Sequence, residues 1–248
     1  MKQPELNILI AGATGYVGSR LAPRLRDAGY SVRCIARNPG KLINRQWTDI
    51  DIVKGDMNDS NSLMQAMKGM DIAFYLVHAM SSHDDFAEKD LRYAQNFAKA
   101  AKEKGVNRII YLGGLGDTDQ DLSPHLASRQ QVGRMLGDTG VPVTELRASI
   151  IIGSGSASFE IIRDLVKKLP LMITPRWVKS LCQPIAISTV LEYLIRVIET
   201  PQTENKVFEI GGNEVLSYAE MMRQVAGVMN KKLFIINVPV LTPRLSAY

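Results

Sequence analysis

Cysteine is scarce in this sequence, and long apolar runs are missing from it. The 248 residues include two cysteines, Cys34 and Cys182, so no disulfide framework is available and we expect a reducing, cytoplasmic location. No uninterrupted apolar run approaches the roughly 20 residues that cross a bilayer, which predicts a protein without a transmembrane segment. The amino terminus also lacks the apolar core and cleavage site of a signal peptide.

Metal ligands are equally few. The three histidines and two cysteines show no metal-ligand spacing, so no metal site is predicted. The stretch IGSGSA, at 152–157, has the outline of a nucleophile elbow. It lacks the accompanying His–Asp context, and we interpret it as a flexible turn.

Acidic residues are sparse in the first fifty positions. Eight lysines and arginines stand there against three acidic residues, an excess that accounts for the whole net charge of +5. The basic residues are neither adjacent nor interleaved with aromatic side chains, which argues against a nucleic-acid surface. The pattern instead favours a small phosphorylated ligand held by this part of the chain.

Short apolar segments alternate with helical patterns from the start of the chain. Predicted strands occupy 7–12, 31–36, 50–55, 71–77, 107–113 and 142–147. Predicted helices occupy 16–28, 60–67, 85–104 and 124–139. The third helix has one apolar stripe with helical period, formed by Phe86, Leu91, Ala94, Phe97, Ala98 and Ala101. This order predicts an α/β fold with a doubly wound parallel sheet of Rossmann type over residues 1–150.

The rhythm changes after Arg147. Helical patterns at 157–169, 188–199 and 217–229 are interleaved with strand-like segments at 183–187, 206–210 and 233–238. We expect residues 151–248 to form a small C-terminal lobe packed on the carboxyl edge of the sheet. A helix start at Thr242 and Pro243, just before the end, suggests a chain cut from a longer protein.

Three regularly spaced glycines follow the first predicted strand. Gly12, Gly15 and Gly18 form G-x-x-G-x-x-G where that strand passes into a helix. Gly12 permits a tight turn, Gly15 lets the backbone approach a pyrophosphate, and Gly18 allows close packing of helix and strand. The helix N-terminus offers N–H groups to the anion. The alternative is a turn that merely needs glycine. The predicted dinucleotide-binding residues here are Gly12, Thr14, Gly15, Tyr16, Val17 and Gly18.

The end of the second strand distinguishes between cofactors. NAD-binding proteins place an acidic residue about twenty positions past the glycines to hold the ribose hydroxyls. Here the region reads CIARNPGKL, with Arg37 at the strand end and Lys41 in the following loop. A guanidinium binds a 2′-phosphate, so NADP(H) is preferred over NAD(H). The alternative is that both are solvated surface charges. After the third strand, Asp56 and Met57 are predicted to contact the adenine.

Seven stretches of the chain together resemble a known family. They are GATGYVG, ARNP, GDMND, YLVHAM, YLGGLG, SPHLASR and LRASIIIGSGSASFE. The chain is similar to the atypical short-chain dehydrogenases/reductases, and more narrowly to NmrA-like proteins and the branch related to the nucleotide-binding accessory subunit of respiratory complex I. The resemblance implies an extended Rossmann core with a small substrate lobe over the nicotinamide end. It also implies that Val77 and His78, after the fourth strand, line the cofactor; His83 is interpreted as a surface loop residue.

The catalytic residues of that superfamily are replaced in this chain. The family's Tyr-x-x-x-Lys pair corresponds to His125 and Arg129, and its serine position reads Gly113–Gly114. The resemblance implies that this helix faces the nicotinamide, where His125 shuttles a proton and Arg129 holds ribose hydroxyls or a substrate carboxylate. The alternative is that His125 packs near the helix start and Arg129 is solvated. Apolar pocket walls are predicted at Phe159, Met172 and Trp177, residues that core packing explains equally well.

Two functions follow from these observations. The first is an NADP-dependent oxidoreductase that acts on a small carbonyl, enone or quinone-like substrate, with His125 and Arg129 as catalytic residues. The alternative is a non-catalytic NAD(P)H-binding redox sensor or an assembly or accessory protein, which the missing Tyr, Lys and Ser favour. We expect a small-molecule substrate of unknown identity, no nucleic-acid partner, and a monomer or weak homodimer.

Overall fold

The computed structural model describes residues 6–78, 86–116 and 124–237. The strands are β1 (Asn7–Ala11), β2 (Ser31–Ala36), β3 (Ile50–Lys54), β4 (Ile72–Tyr75), β5 (Arg108–Gly114), β6 (Val143–Ala148), β7 (Ile151–Ile152), β8 (Leu171–Thr174), β9 (Leu181–Cys182), β10 (Ile185–Ala186), β11 (Lys206–Ile210), β12 (Leu216–Ser217) and β13 (Phe234–Asn237). The helices are α1 (Gly18–Asp27), α2 (Gly40–Ile43), α3 (Ser60–Met67), α4 (Phe86–Glu103), α5 (Pro124–Gly137), α6 (Ala157–Lys168), α7 (Ile187–Arg196) and α8 (Tyr218–Val228).

Seven strands form the main sheet, in the order β3-β2-β1-β4-β5-β6-β11. The pairs β2–β3, β1–β2, β1–β4, β4–β5 and β5–β6 are all parallel. The chain runs outward from β1 to β3 and then returns to place β4 on the other side of β1. This reversal is the doubly wound arrangement, so the predicted fold class is confirmed. A crevice is expected at the carboxyl ends of β1 and β4, where the direction changes.

Right-handed crossovers explain how the sheet is covered. Helix α1 joins β1 to β2 and α4 joins β4 to β5, in opposite directions along the sheet, so the two helices lie on opposite faces. Phe97 of α4 meets Tyr75 of β4 edge-on, with ring centroids 5.0 Å apart. The side chain of Phe86 lies outside the described residues. Four members of the predicted stripe are fully buried: Ala94, Phe97, Ala98 and Ala101.

The predicted elements of the first 150 residues occur with ends shifted by at most two positions. One element was missed. Lys41, predicted to lie in a loop, belongs to the short helix α2. Its start is stabilised locally, because the Asn38 side-chain oxygen accepts the Gly40 amide at 3.1 Å and Pro39 occupies the N-cap with a helical backbone. A helix of four residues is too short to show the hydrophobic periodicity by which helices are predicted from sequence, so α2 was missed.

One late segment packs with the first part of the chain. Contacts divide the chain into one unit of Met1–Ala148 with Leu191–Glu209, and a second of Ser149–Val190 with Ile210–Tyr248. The sequence-based prediction places all of 151–248 together. The hydrogen bonds of Arg108 explain why residues 191–209 belong to the first unit instead.

Arg108, at the start of β5, is 3% exposed. Its guanidinium donates to the Thr144 hydroxyl at 2.6 and 2.9 Å, and also to the Thr200 carbonyl and the Thr203 hydroxyl. The Thr144 hydroxyl in turn donates to the Thr203 carbonyl at 3.0 Å. Asn205 accepts the Val143 amide at 3.2 Å. These bonds attach the segment before β11 to the strands of the main sheet.

The second unit has its own small core. Helices α6 and α8 pack around buried Ile162, Val166, Met172 and Met222. Three two-stranded pairs surround them: β7–β10 and β8–β13 are parallel, and β9–β12 is antiparallel. Met172, offered by the sequence as a pocket wall, is part of this core.

The remaining predictions for the later part of the chain have mixed outcomes. The strand predicted at 183–187 is reduced to the two residues of β10. Trp177, 43% exposed, lies in a short 3-10 helix and meets Tyr218 edge-on at 5.5 Å. Thr242 and Pro243 lie outside the described residues. Among the helices of the described ranges, none is long and apolar enough to cross a membrane.

Candidate functional site

The turn between β1 and α1 is built from backbone contacts. Gly12 has a φ of +96°, and a Cβ there would collide with the carbonyl oxygen of Leu76, just after β4. At Gly18 a Cβ would lie 2.5 Å from the Gly12 carbonyl oxygen. Gly15 donates to that same carbonyl at 2.9 Å. A Cβ at Gly15 would meet the Gly12 oxygen alone, at 3.2 Å. Two of the glycines therefore serve packing, and the third leaves the backbone open to the cleft.

Helix α1 begins without a competing anion. Its N-cap residue, Val17, has no side-chain cap, and the first turn of this helix contains no acidic residue. The first N–H groups of a helix lack acceptors within the helix, and they carry the positive end of its dipole. Arg20 supports the turn, because its guanidinium lies 4.1 Å over the Tyr16 ring and donates to the Tyr16 carbonyl at 3.1 Å. This terminus suits a bound phosphate.

A cleft of about 460 Å³ opens beside this turn at the carboxyl ends of β1 and β4. This volume lies within the usual range for small-molecule sites. Lys41 does not line the cleft; it lies exposed on α2. The structure brings together eleven of the predicted residues as lining: Gly12, Thr14, Gly15, Tyr16, Val17, Gly18, Arg37, Asp56, Met57, Val77 and His78.

The end of β2 presents a single cation to the cleft. Arg37 is exposed, and its guanidinium forms no hydrogen bond or ion pair with any residue that the structure describes. The Asn38 side chain is bound to the Gly40 amide. Arg37 is thus available to an anionic ligand.

The segment after β3 forms the opposite wall. One carboxylate oxygen of Asp56 accepts the Asn58 amide at 2.8 Å, which fixes the acid in a turn. The Tyr93 hydroxyl accepts from the Asn58 side chain at 3.2 Å, and Asn96 donates to the Met57 carbonyl at 2.8 Å. Met57 is buried in the core beneath. Helix α4 therefore holds this wall in place.

Seven lining residues were missed by the sequence analysis. Lys89 and Tyr93 project from α4, with the lysine ammonium 5.9 Å from the tyrosine ring centroid. No local signal marks them, since α4 is separated from the glycines by some seventy residues. Gly55 did carry a signal as a glycine directly after a strand, and a Cβ there would collide with Ile35. The other missed residues are Ile35, Ala36, Leu76 and Leu112.

His78 lines the cleft after β4, and Arg129 on α5 lies close enough for its charge to act on this imidazole. Burial and the positive charge of Arg129 lower the pKa of His78 from 6.5 to about 4, so its imidazole is neutral at pH 7. Arg129 packs over Gly114: a Cβ there would lie 3.0 Å from the arginine Cδ and 3.2 Å from Nη1. The Tyr111 hydroxyl donates to the Arg129 carbonyl at 3.0 Å. The Cδ2 atom of Leu126 would lie 2.9 Å from the same Cβ, so the arginine and this leucine together take the space that a side chain at Gly114 would need.

A buried ion pair supports this end of the sheet. Glu145 and Arg147, two residues apart on β6, are joined at 2.8 Å, with side chains 7% and 15% exposed. Gly113 and Gly133 make room for the glutamate, because a Cβ at either position would collide with its carboxylate. Burial and the charge of Glu145 raise the pKa of Tyr111. The sequence analysis did not identify this pair.

Other predicted site residues have varied outcomes. His125 lies in the first turn of α5, but its side chain falls outside the described residues, as does all of His83. Ser156 of IGSGSA is the N-cap of α6, and its hydroxyl donates to the Ile151 carbonyl at 2.6 Å. Phe159 is half-buried on α6. Among the residues that the structure describes, no group of three His, Cys, Asp or Glu side chains is placed to hold a metal ion.

Curated relatives include enzymes and assembly factors. The "(4-alkanoyl-5-oxo-2,5-dihydrofuran-3-yl)methyl phosphate reductase" of Streptomyces griseus is 26% identical over 234 residues, covering 91% of this chain and 75% of its own. The "Photosystem II assembly factor Ycf39" of Cyanophora paradoxa is 21% identical and covers 95% of this chain and 72% of its own.

Solved structures share the fold at lower identity. The Bordetella bronchiseptica enzyme WbmG in complex with NAD superposes with a TM-score of 0.80 at 18% identity, over 96% of this chain and 83% of its own. The Citrobacter sp. triphenylmethane reductase complexed with NADP(H) superposes with a TM-score of 0.76 at 20% identity, over 94% of this chain and 79% of its own. The profile of the NmrA-like family matches residues 4–242. The fold, the glycine turn and this match lead to one conclusion: the chain belongs to the NmrA-like family.

Proposed function

We propose that this protein is an NADP(H)-dependent oxidoreductase of a small carbonyl, enone or quinone-like substrate. The observation that carries the proposal is the pairing of an uncapped helix N-terminus with an unpaired arginine, Arg37, in one cleft. The first suits a pyrophosphate and the second a further phosphate. A dinucleotide with a 2′-phosphate carries both groups.

The geometry of the glycine turn supports the binding of a dinucleotide pyrophosphate. The backbone at Gly15 has no side chain between it and the cleft, so a pyrophosphate can approach the amides at the start of α1. Asp56 and Met57 form a wall of mixed polar and apolar character suited to an adenine ring. The Streptomyces griseus relative, named as a reductase, and the Citrobacter reductase complexed with NADP(H) support this assignment.

The preference for NADP(H) rests on Arg37. An acid at the end of β2 would repel a 2′-phosphate, and none is present between Arg37 and Leu42. A guanidinium forms two parallel hydrogen bonds with a phosphate. Lys41 is exposed on α2 and contributes at most a longer-range charge.

The chemistry follows from the residues at the far end of the cleft. The bound cofactor supplies or accepts a hydride. We assign the proton donor to His125, one turn before Arg129 on α5, because an imidazole is the side chain that most readily exchanges a proton near neutral pH. The imidazole of His78 is neutral there and can offer one hydrogen bond without adding charge.

Separate titrations of NADPH and NADH by calorimetry test the cofactor. NADPH should bind at least about tenfold more tightly, which is about 1.4 kcal/mol, and Arg37→Met should remove this difference. Arg24→Met, at an exposed site on α1, is the matched control and should leave both affinities unchanged. Equal affinities in the unaltered protein, or equal losses of both cofactors in Arg37→Met, would refute the preference.

The loss of NADPH absorbance with a panel of carbonyls, enones and quinones tests the activity. Turnover that falls in His125→Ala, with NADPH affinity retained, supports the proposed proton donor. A panel without turnover, tested with protein that binds NADPH, would refute the enzymatic proposal.

The second candidate is a non-catalytic sensor or assembly protein that uses NADP(H) as ligand. Gly113 and Gly114 stand where the superfamily carries its serine, which favours this candidate. The relative from Cyanophora paradoxa, named as an assembly factor, also fits it. A change in protease sensitivity of residues 157–182 on NADPH binding, without turnover, would support it over the enzyme.

A further inference from the structure

Arg129 is a partly buried cation without a partner among the described residues. Its guanidinium takes part in no hydrogen bond or ion pair with the part of the chain that the structure describes. Its backbone is nevertheless held firmly, since the Tyr111 hydroxyl donates to its carbonyl and the neighbouring Gln130 side chain donates to the Gly116 carbonyl at 2.9 Å. The backbone of this turn is therefore held by hydrogen bonds, while the guanidinium has no partner in the described part of the chain.

Two acidic side chains act on Tyr111 together with Arg129, namely Asp90 and Glu145, but neither forms an ion pair with the Arg129 guanidinium among the described residues. Gly114 lacks the Cβ that would displace it. The nearby carboxylate of Glu145 is bound by Arg147 and so does not neutralise it. A guanidinium has five N–H donors, and withdrawing them from water without acceptors is unfavourable. An anionic ligand would supply the missing acceptors.

The position of Arg129 relative to the cleft distinguishes substrate from cofactor. Leu112 of β5 lines the cleft, and Gly114 lies two residues further along the same strand. Arg129 itself is not part of the lining. His78 lines the cleft, and the positive charge of Arg129 helps to lower the pKa of its imidazole. Arg129 therefore stands just beyond the space assigned to the dinucleotide.

We propose that Arg129 binds the oxyanion of a small acidic substrate, a phosphate ester or a carboxylate, beside the cofactor cleft. The planar guanidinium takes two oxygens of either group, and His78 adds a neutral hydrogen-bonding group at the edge of the cleft. Gly114 acts as a positioning residue, because a Cβ there would press on both the Arg129 and the Leu126 side chains. This inference narrows the substrate class of the proposed reductase and rests on that function.

Anion binding to protein saturated with NADP⁺ tests the inference, since the nucleotide then covers the glycine turn. Inorganic phosphate and acetate are titrated separately by calorimetry, which separates the phosphate from the carboxylate source. At least one should bind, and Arg129→Met should weaken it at least about tenfold. Gly114→Ala should weaken it as well, because its Cβ displaces the arginine without removing the charge. Arg134→Met, at an exposed position of the same helix, should have no effect.

Some results would overturn the role proposed for Arg129, and others would overturn the proposed function. Absence of binding by both anions, or equal binding in Arg129→Met and Arg134→Met, overturns the inference. A loss of NADP⁺ affinity in Arg129→Met with unchanged anion binding also overturns it, because the arginine then serves the cofactor. Should the unaltered protein bind neither NADPH nor NADH, the proposed function fails, and the anion titrations without nucleotide still decide the role of Arg129. If Arg129→Met does not fold, Arg129→Lys and Gly114→Ala carry the test.

Discussion

The two ends of the cleft are built in different ways. At the β1–α1 end, the contacts are backbone to backbone and come from seven consecutive residues, Gly12 to Gly18. At the β4–β5 end, side chains converge from β4, β5, β6 and α5, with Arg129 over Gly114 and the Glu145–Arg147 pair behind Gly113. The β1–α1 end requires positions without side chains, whereas the β4–β5 end requires side chains with specific neighbours. The two ends should therefore fail in different ways when altered.

The largest effect is expected at the side-chain end. Arg147→Met leaves the buried carboxylate of Glu145 without its partner, and breaking such a pair costs about 3 to 4 kcal/mol of unfolding free energy. Urea denaturation measures the loss. Arg163→Met removes an exposed ion pair with the same substitution and should change the midpoint little. Similar midpoints for the two variants would show that the Glu145–Arg147 pair is not a buried unit.

A comparable but smaller loss is expected at the backbone end. Gly12→Ala meets both a φ of +96° and the Leu76 carbonyl, and should cost about 2 to 3 kcal/mol. Gly29→Ala provides the matched control, because Gly29 has a φ of +93° but nothing within 4 Å of its Cβ position. It should cost about 1 kcal/mol. Equal losses would mean that backbone conformation, and not the contact with β4, explains the need for Gly12.

Gly15→Ala should separate binding from folding. The added Cβ meets the Gly12 oxygen at 3.2 Å and otherwise points into the cleft, so stability should change by less than about 1 kcal/mol. Affinity for NADPH should fall about tenfold, because the backbone can no longer approach the pyrophosphate. Calorimetry and thermal unfolding on the same preparation measure both. A variant that binds normally would remove Gly15 from the proposed phosphate site.

The smallest effect is a pH dependence at the side-chain end. The pKa of His78 is lowered from 6.5 to about 4, so between these values the unfolded chain binds a proton that the folded protein does not. Stability contributed at this residue therefore falls as the pH falls from 6.5 towards 4. His78→Gln should lose less stability than the unaltered protein between pH 7 and 4.5 in urea denaturation. Parallel pH profiles would show that His78 titrates normally in the folded state.

Arg129→Met adds a test of the same residue. Removing the positive charge should raise the pKa of His78, while the larger effect of burial stays. The imidazole resonances in an NMR titration report the pKa directly. A pKa that does not move would place Arg129 too far away to act on His78.

Much of the Rossmann core could be predicted because its signals are local. Apolar strands with both faces buried, the helical stripe of α4, and the three glycines each occupy one short stretch, and each reflects a steric or periodic requirement of that stretch alone. Arg37 was also identified, because the end of the second strand carries this cation and no acid, and His78 was identified through the family resemblance; both line the cleft.

Other residues could not be predicted because their partners are distant in sequence. Lys89 and Tyr93 join the cleft only because α4 packs beside the segment after β3. Arg108 reads as a charge at a strand start, yet it is buried by threonines from β6 and from residues 200–203. Glu145 and Arg147 resemble any alternating charged pair on an exposed strand until Gly113 and Gly133 open a space for them.

The sequence by itself determined the doubly wound α/β core and the glycine turn, because sterics and periodicity act over neighbouring residues. The tertiary structure decided which charges are paired and which are free: it joined Arg147 to Glu145, placed Lys41 away from the cleft, and left Arg37 and Arg129 without partners among the described residues. Charge pairing depends on distances between groups far apart in the chain, and only packing sets those distances.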